Sequence, residues 1–298
     1  MTEKIPVILD CDNTMGLPGC DVDDGLALLY LLGSPAVRLL GVTCSYGNST
    51  QEAVYRNTLR LLDQWGRRDI PVYRGSDGPG QLPSPAADFL AAAAREHSGA
   101  LRLLVTGSTT NLLGALALDG GFLDRLHTIS LMGGVTEPLL VGGKPMAELN
   151  LSIDAQASLK VLRRAHHIRI ATAQNCLSSF FPGSELALLA ESGSPVGAYL
   201  AEALADWYAY NAEHWNLDGI VNWDVMAAAQ LVCPELFDLN NTVITPTPES
   251  MAWGMLLGDG PAIPVQLPVI RDPEQYRRQV CGTYLAARIH INTWRTSR

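Results

Sequence analysis

The chain has no apolar run near the roughly 20 residues that a bilayer-spanning helix needs, so no stretch reads as a membrane segment. No secretory leader is expected either: after Met1-Thr-Glu-Lys a strand-like apolar run starts at once, without the charged-then-apolar layout of a signal. There is no cationic surplus. The 21 Lys and Arg stand against 30 Asp and Glu, a net charge of −9, and nucleic-acid binding needs clustered basic residues. The six cysteines (Cys11, Cys20, Cys44, Cys176, Cys233, Cys281) form no C-x-x-C pair, which reads as free thiols in a reducing, cytoplasmic setting. Linkers, repeats and low-complexity blocks are absent as well. At 298 residues, 47% hydrophobic and 17% charged, the expectation is a single α/β domain over residues 1–298.

What is present is an alternation of short β-like runs and amphipathic stretches. Strands are predicted at Val7–Cys11, Val37–Cys44, Ile70–Tyr73, Leu101–Thr106, His127–Met132 and Ile168–Thr172. Helices are predicted at Asp24–Gly33, Thr50–Trp65, Pro85–Glu96, Thr109–Leu118 and Ala155–Arg164, then at Pro195–Trp215 and Asn222–Leu231. Such alternation means βαβ units: a mostly parallel central sheet with helices on both faces, an open Rossmann-like arrangement. Beyond Phe237 the pattern breaks into short, Pro-rich pieces in which no element is assigned and, past Asn240, no chemistry.

Five carboxylates, Asp10, Asp12, Asp21, Asp23 and Asp24, fall within fifteen residues. They lie between the apolar run Ile5-Pro-Val-Ile-Leu9 and the helical run Leu26–Leu32, at a strand end and the helix start that follows it. In open α/β sheets that crevice is where ligands bind. Crowded carboxylates are costly unless something positive sits among them, and a metal ion is the natural choice.

Asp10-Cys-Asp12-Asn-Thr14 fits D-x-D-x-T, the nucleophile motif of haloacid-dehalogenase-like phosphatases, in which Asp10 would attack phosphorus and Asp12 act as acid. That family also needs a late acidic pair, and Gly258-Asp259-Gly260 offers one carboxylate alone. A longer resemblance uses the whole cluster. Asp10-Cys-Asp12 … Asp23-Asp24-Gly-Leu-Ala resembles the N-terminal signature of the nucleoside hydrolases, D-x-D-x-G-x-D-D. Gly47-Asn48-Ser-Thr resembles their G-N-x-T turn, and Thr106-Gly107 their threonine-glycine turn. Met132-Gly-Gly134, Ala147-Glu148-Leu149-Asn150 and Asp154-Ala resemble M-G-G … A-E-F-N … D-P. Asn222-Trp223-Asp224 stands where that family has an aspartate opening a late helix. The landmarks keep their order over about 220 residues, and the chain is identified as a divergent member of that family.

The resemblance implies Ca²⁺-dependent hydrolysis of the N-glycosidic bond of a ribonucleoside or related N-riboside. It makes Asp12, Asp24 and Asp224 metal ligands through their carboxylates and Thr106 through its carbonyl, with Asp12 also the base that deprotonates the attacking water. Asp23, Asn48, Glu148 and Asn150 would hold the ribose and Trp223 the base. It also implies a homo-oligomer, dimer or tetramer. The alternatives are a family member that binds ribose and metal without turnover, and the phosphatase. Asp10 is expected to be structural and Asp21 solvated.

Three departures from the family stand out. Ten residues, Asn13–Val22, separate Asp12 from Asp23 where the family usually has three; this insert must loop out, bordering the pocket. The loop Gly75–Pro85 carries no histidine over the base. Trp223 replaces the histidine that protonates the departing base in many members, as in a purine-preferring branch. His214 is the nearest candidate for a substitute acid, while Tyr208 and Tyr210 read as packing residues.

Overall fold

The computed structural model describes residues 3–291. In chain order the first half comprises β1 (Ile5–Cys11), α1 (Asp23–Gly33), β2 (Val37–Cys44), α2 (Gln51–Gln64), β3 (Val72–Arg74), α3 (Pro85–Glu96), β4 (Arg102–Val105), α4 (Thr110–Leu118) and β5 (Thr128–Met132). A small hairpin follows, β6 (Leu140–Val141) and β7 (Lys144–Pro145), then α5 (Ala155–Arg164), β8 (Ile168–Ala171) and α6 (Ala173–Cys176). The remainder is β9 (Phe180–Pro182), α7 (Gly183–Glu191), α8 (Pro195–Trp215), β10 (Gly219–Val221), α9 (Trp223–Val232), β11 (Phe237–Ile244), α10 (Pro248–Met251), β12 (Ile263–Ile270) and α11 (Pro273–Leu285).

Eight strands make one sheet in the order β11-β12-β8-β5-β4-β1-β2-β3. All its neighbours run parallel except β11 and β12. The chain leaves β1 towards β2 and β3, then returns to the other side of β1 and proceeds through β4, β5 and β8. The order therefore reverses at β1 and β4, and a crevice opens beyond their C-terminal ends.

β1 is apolar on both faces, as a central parallel strand must be. Val7 and Leu9 join the core beneath α1, α8, α9 and α11, while Ile8 joins the core beneath α3, α4 and α5. Each such buried side chain contributes about 1.5–3 kcal/mol. α1 is buried on almost every side, as its Leu-rich sequence predicts. Helix starts follow the cap rules: Thr50, Ser84 and Asp154 accept from the backbone amides of Ala53, Ala87 and Ala157. No described helix is long and apolar enough to cross a membrane. All six cysteines are free thiols.

The first-half elements match the sequence expectation within a residue or two, and β3 begins at Val72 rather than Ile70. The departure is at the C-terminal end, where β11, β12 and α11 are well formed. β12 carries Pro264 and Pro268, which remove ladder donors and hide a strand from pattern reading. It tolerates them beside β8, which it meets in register at Gln266 and Arg169. α11 buries a narrow stripe of Tyr276, Val280 and Tyr284, and its start is marked by Asp272, which accepts from the amides of Glu274 and Gln275.

Candidate active site

The acids converge at the switch point. β1 delivers Asp10 and, one residue past its end, Asp12. α1 opens with Asp23 and Asp24, and α9 opens with Trp223 and Asp224. Asp23, Asp24 and Asp224 each present a carboxylate oxygen within 4.8 Å of the others, and all three are buried. Burial, and then the neighbouring carboxylates, pushes all three well above the ordinary carboxylate range.

Asp12 adjoins this triad. The Asn48 backbone amide donates to Asp12 Oδ2 at 2.6 Å, and Asn48 Nδ2 donates to Asp12 Oδ1 at 3.3 Å and to Asp24 Oδ2 at 3.5 Å. Thr106 Oγ1 donates to Asp24 Oδ1 at 2.7 Å. Burial lifts the Asp12 carboxyl to about 6. At Gly47 a Cβ would overlap the Asp12 carboxylate, so the turn carrying Asn48 needs glycine there. The expected metal-ligand set of Asp12, Asp24, Thr106 and Asp224 overlaps the buried triad at Asp24 and Asp224.

A cavity of about 210 Å³ opens over the triad. Asp23, Asn48, Thr106, Glu148, Asn150, Trp223 and Asp224 all line it, while Asp12 and Asp24 are reached through Asn48 and Thr106. Among the described residues no Lys, Arg or His is part of its lining. Leu139, Met146 and Trp223, packed together, form an apolar wall. Leu139 and Met146 escaped the sequence reading because they flank the hairpin β6–β7, whose two-residue strands carry no periodic signal.

Glu148 has its carboxylate on backbone amides: Oε1 accepts from Gly134 at 3.0 Å and Leu151 at 2.7 Å, and Oε2 from Ser152 at 2.8 Å. The carboxylate thus fastens the Met-Gly-Gly turn to the segment bearing Asn150. Asn150 Nδ2 in turn donates to the Met132 carbonyl at 3.1 Å. The late segment also takes part, contrary to the expectation for residues past Asn240. Gly254 holds φ +66°, and a Cβ there would overlap the Glu148 carboxylate.

Asp10 is structural, as expected. Its Oδ1 accepts from Thr43 Oγ1 at 2.8 Å and Asn111 Nδ2 at 2.9 Å, and burial raises its carboxyl to about 7. It is not part of the cavity lining. Asp21 differs from expectation: it is half-buried, lines the cavity, and its Oδ1 accepts from the amides of Val22 at 2.6 Å and Asp23 at 3.3 Å. The bare amides at the start of α1 draw it in. The insert that bears it is pinned rather than free, because Asn57 Nδ2 on α2 donates to the carbonyls of Asn13 and Met15 at 3.2 and 3.1 Å. His214 is exposed, stacked on Tyr210 on α8, and neither it, Tyr208 nor Tyr210 lines the cavity.

The family described as inosine-uridine preferring nucleoside hydrolase matches residues 7–280. A pyrimidine-specific ribonucleoside hydrolase, RihA, from Klebsiella pneumoniae is 30% identical over 262 residues, covering 78% of this chain and 81% of the relative. A solved plant nucleoside hydrolase superposes with a TM-score of 0.82 at 23% identity, over 95% of this chain and 99% of the other. A purine-preferring ribonucleoside hydrolase from Gardnerella vaginalis does so with a TM-score of 0.78 at 24% identity, over the same shares.

Proposed function

The chain belongs to the inosine-uridine preferring nucleoside hydrolase family, and from that premise we propose that it hydrolyses the N-glycosidic bond of a ribonucleoside or related N-riboside, releasing base and ribose. The observation that carries this reading is the buried Asp23–Asp24–Asp224 triad beneath a cavity lined by Asn48, Asn150 and Trp223. Three buried carboxylates, each raised by burial and by neighbouring acids, in a cavity to which the described residues bring no cation, fit a hard divalent ion such as Ca²⁺, which takes oxygen ligands. Asp12, Asp24, Asp224 and the Thr106 carbonyl would hold it. When bound, the ion supplies Lewis-acid polarisation and an acidified water.

The chain's own residues supply the rest. Asp12, fixed by two hydrogen bonds from Asn48, takes the proton of the attacking water. Asp23, Asn48, Asn150 and Glu148 hold the ribose hydroxyls, Glu148 chiefly by fixing the turn around Asn150. The surrounding carboxylates stabilise the positive charge of an oxocarbenium-like transition state. Trp223 stacks on the base, a contact worth about 1–3 kcal/mol. With no histidine in the lining, the departing base takes its proton from solvent.

The named relatives divide between pyrimidine and purine preference, so the base must be assigned on this chain itself. The apolar wall with Trp223 favours a flat aromatic base. The test is release of base and reducing sugar from purine, pyrimidine and non-standard ribosides, with Ca²⁺ and with chelator. Chelator-sensitive release is expected. Ca²⁺-loaded protein that bound ribosides and released no base would instead identify a family member without turnover. A homo-oligomer, dimer or tetramer, is part of the same reading, and light scattering that found a monomer would reject it.

A further inference from the structure

The opposite end of the sheet holds a second cavity, of about 930 Å³, which the hydrolytic chemistry does not use. Its lining includes His127 and Thr128 at the start of β5, His166, His167 and Arg169 at the start of β8, and Gln266 of β12. Strand register places Arg102 beside Thr128, and Arg169 beside both Ser130 and Gln266, so the two arginines share one sheet face. Both guanidiniums reach the last turn of α9: Arg102 donates to the Leu231 carbonyl at 2.6 Å and Arg169 to the Gln230 carbonyl at 3.0 Å.

A helix end carries only about half a negative charge. It offsets one guanidinium in part and leaves the pair strongly positive. Among the described residues no carboxylate forms an ion pair with either arginine. The one acid in the lining, Asp124, pairs with Arg164 at 3.7 Å. Half-burial depresses the basicity of both arginines, and Arg102 depresses that of Arg169 further. Such a positive pocket on a chain of net charge −9 lacks its counter-charge.

His167 holds φ +53°, a conformation that non-glycine residues seldom take. It is the second of two consecutive histidines, His166 and His167, that both line the cavity.

We propose that this cavity is a binding site for a phosphate-bearing anion, held by Arg169 with Arg102 behind it and by the imidazoles of His127, His166 and His167. Guanidinium and imidazole N–H donors match phosphate oxygens, and Gln266 holds Arg169 in place, its Oε1 accepting from Arg169 Nε at 3.0 Å. The site stands apart from the acidic cavity, whose carboxylates repel the same ligand. α9 joins the two, with Asp224 at its first turn and the arginines at its last.

The test is calorimetric titration of the Ca²⁺-loaded protein, dialysed free of excess cation, with inorganic phosphate and with glycerol 3-phosphate. Saturable binding at one site per chain is expected, with the tighter probe telling free phosphate from an organic monoester. Arg169→Gln should weaken it at least tenfold. Because that change also removes a contact to α9, the pair His127→Ala and His166→Ala, which alters exposed rings, serves as a second variant with the same expected loss. Asp224→Asn should leave the affinity unchanged. Absence of saturable binding, equal binding in the histidine variant, or loss of binding in Asp224→Asn would overturn the proposal.

Discussion

Asn48 and Asp12 are joined twice, by the backbone amide at 2.6 Å and by the side-chain amide at 3.3 Å. The turn after β2 therefore aims the carboxylate that ends β1. Asp12→Asn should lower kcat by about 10²–10⁴-fold, the usual worth of a positioned acid or base. Steady-state kinetics at saturating Ca²⁺ would check it, and a variant with unchanged kcat would remove Asp12 from the role of base.

Asp224→Asn takes one carboxylate from the buried triad. Removing an outer-shell partner alone costs a metal site about 10–100-fold in affinity, so losing a carboxylate of the triad should cost at least as much. Ca²⁺ titration of the chelator-stripped variant measures it. An unchanged affinity would show that the ion is held elsewhere.

Trp223→Ala should lower kcat/KM by about 5–150-fold through the lost stacking. Trp223→Phe should restore most of the loss. Because the ring also packs against the small buried cluster of Val135, Leu139, Val141 and Ala173, thermal unfolding of both variants must be compared, and a loss of activity tracking the loss of stability would make the ring a wall and nothing more.

Gly254→Ala places a methyl group against the Glu148 carboxylate at a backbone φ of +66°. Strain of this kind costs about 1–3 kcal/mol. The variant should melt several degrees lower and show a raised KM, because the Glu148 clamp carries Asn150. Unchanged melting would mean that the segment yields without moving the clamp.

His127 is the group with a readable pH signature. Partial burial first, then Arg102, Arg169 and His167, hold its pKa below the ordinary histidine value, with Thr128 Oγ1 against its Nδ1 at 2.8 Å. The neutral ring is thus favoured in the folded state. Its contribution is present above the ordinary value and is lost as pH falls through the lowered one. NMR titration of His127 should show the low pKa directly, and saturating phosphate should move it upwards; a titration at or above the ordinary value would contradict the positive field.

The placement of the candidate site was legible where a residue type falls at an element boundary. Asp12, Asp24, Thr106 and Asp224 sit at strand and helix ends, and alternation alone marks those ends. Less legible was anything decided by backbone amides. Asp21 reads as a surface acid until the empty first turn of α1 is seen to claim it, and nothing in the sequence marks the three amides through which Glu148 ties two segments together. The C-terminal strands stayed hidden because Pro264 and Pro268 obey the needs of β12's neighbours rather than a local pattern. Arg102 and Arg169 gave no signal at all, since nothing local links them to a helix end more than sixty residues away in Arg169's case.

The pinned insert between Asp12 and Asp23 has a practical consequence for anyone editing this protein. Asn57 and Arg60 grip Asn13 and Met15 near its start, while Asp21 is tied to the first residue of the helix it precedes. Spare length is therefore confined to the tip, Gly16–Cys20, which is exposed or half-exposed. Foreign sequence grafted there would hang outside two fixed anchors, so this tip is the natural port for tags or reporters.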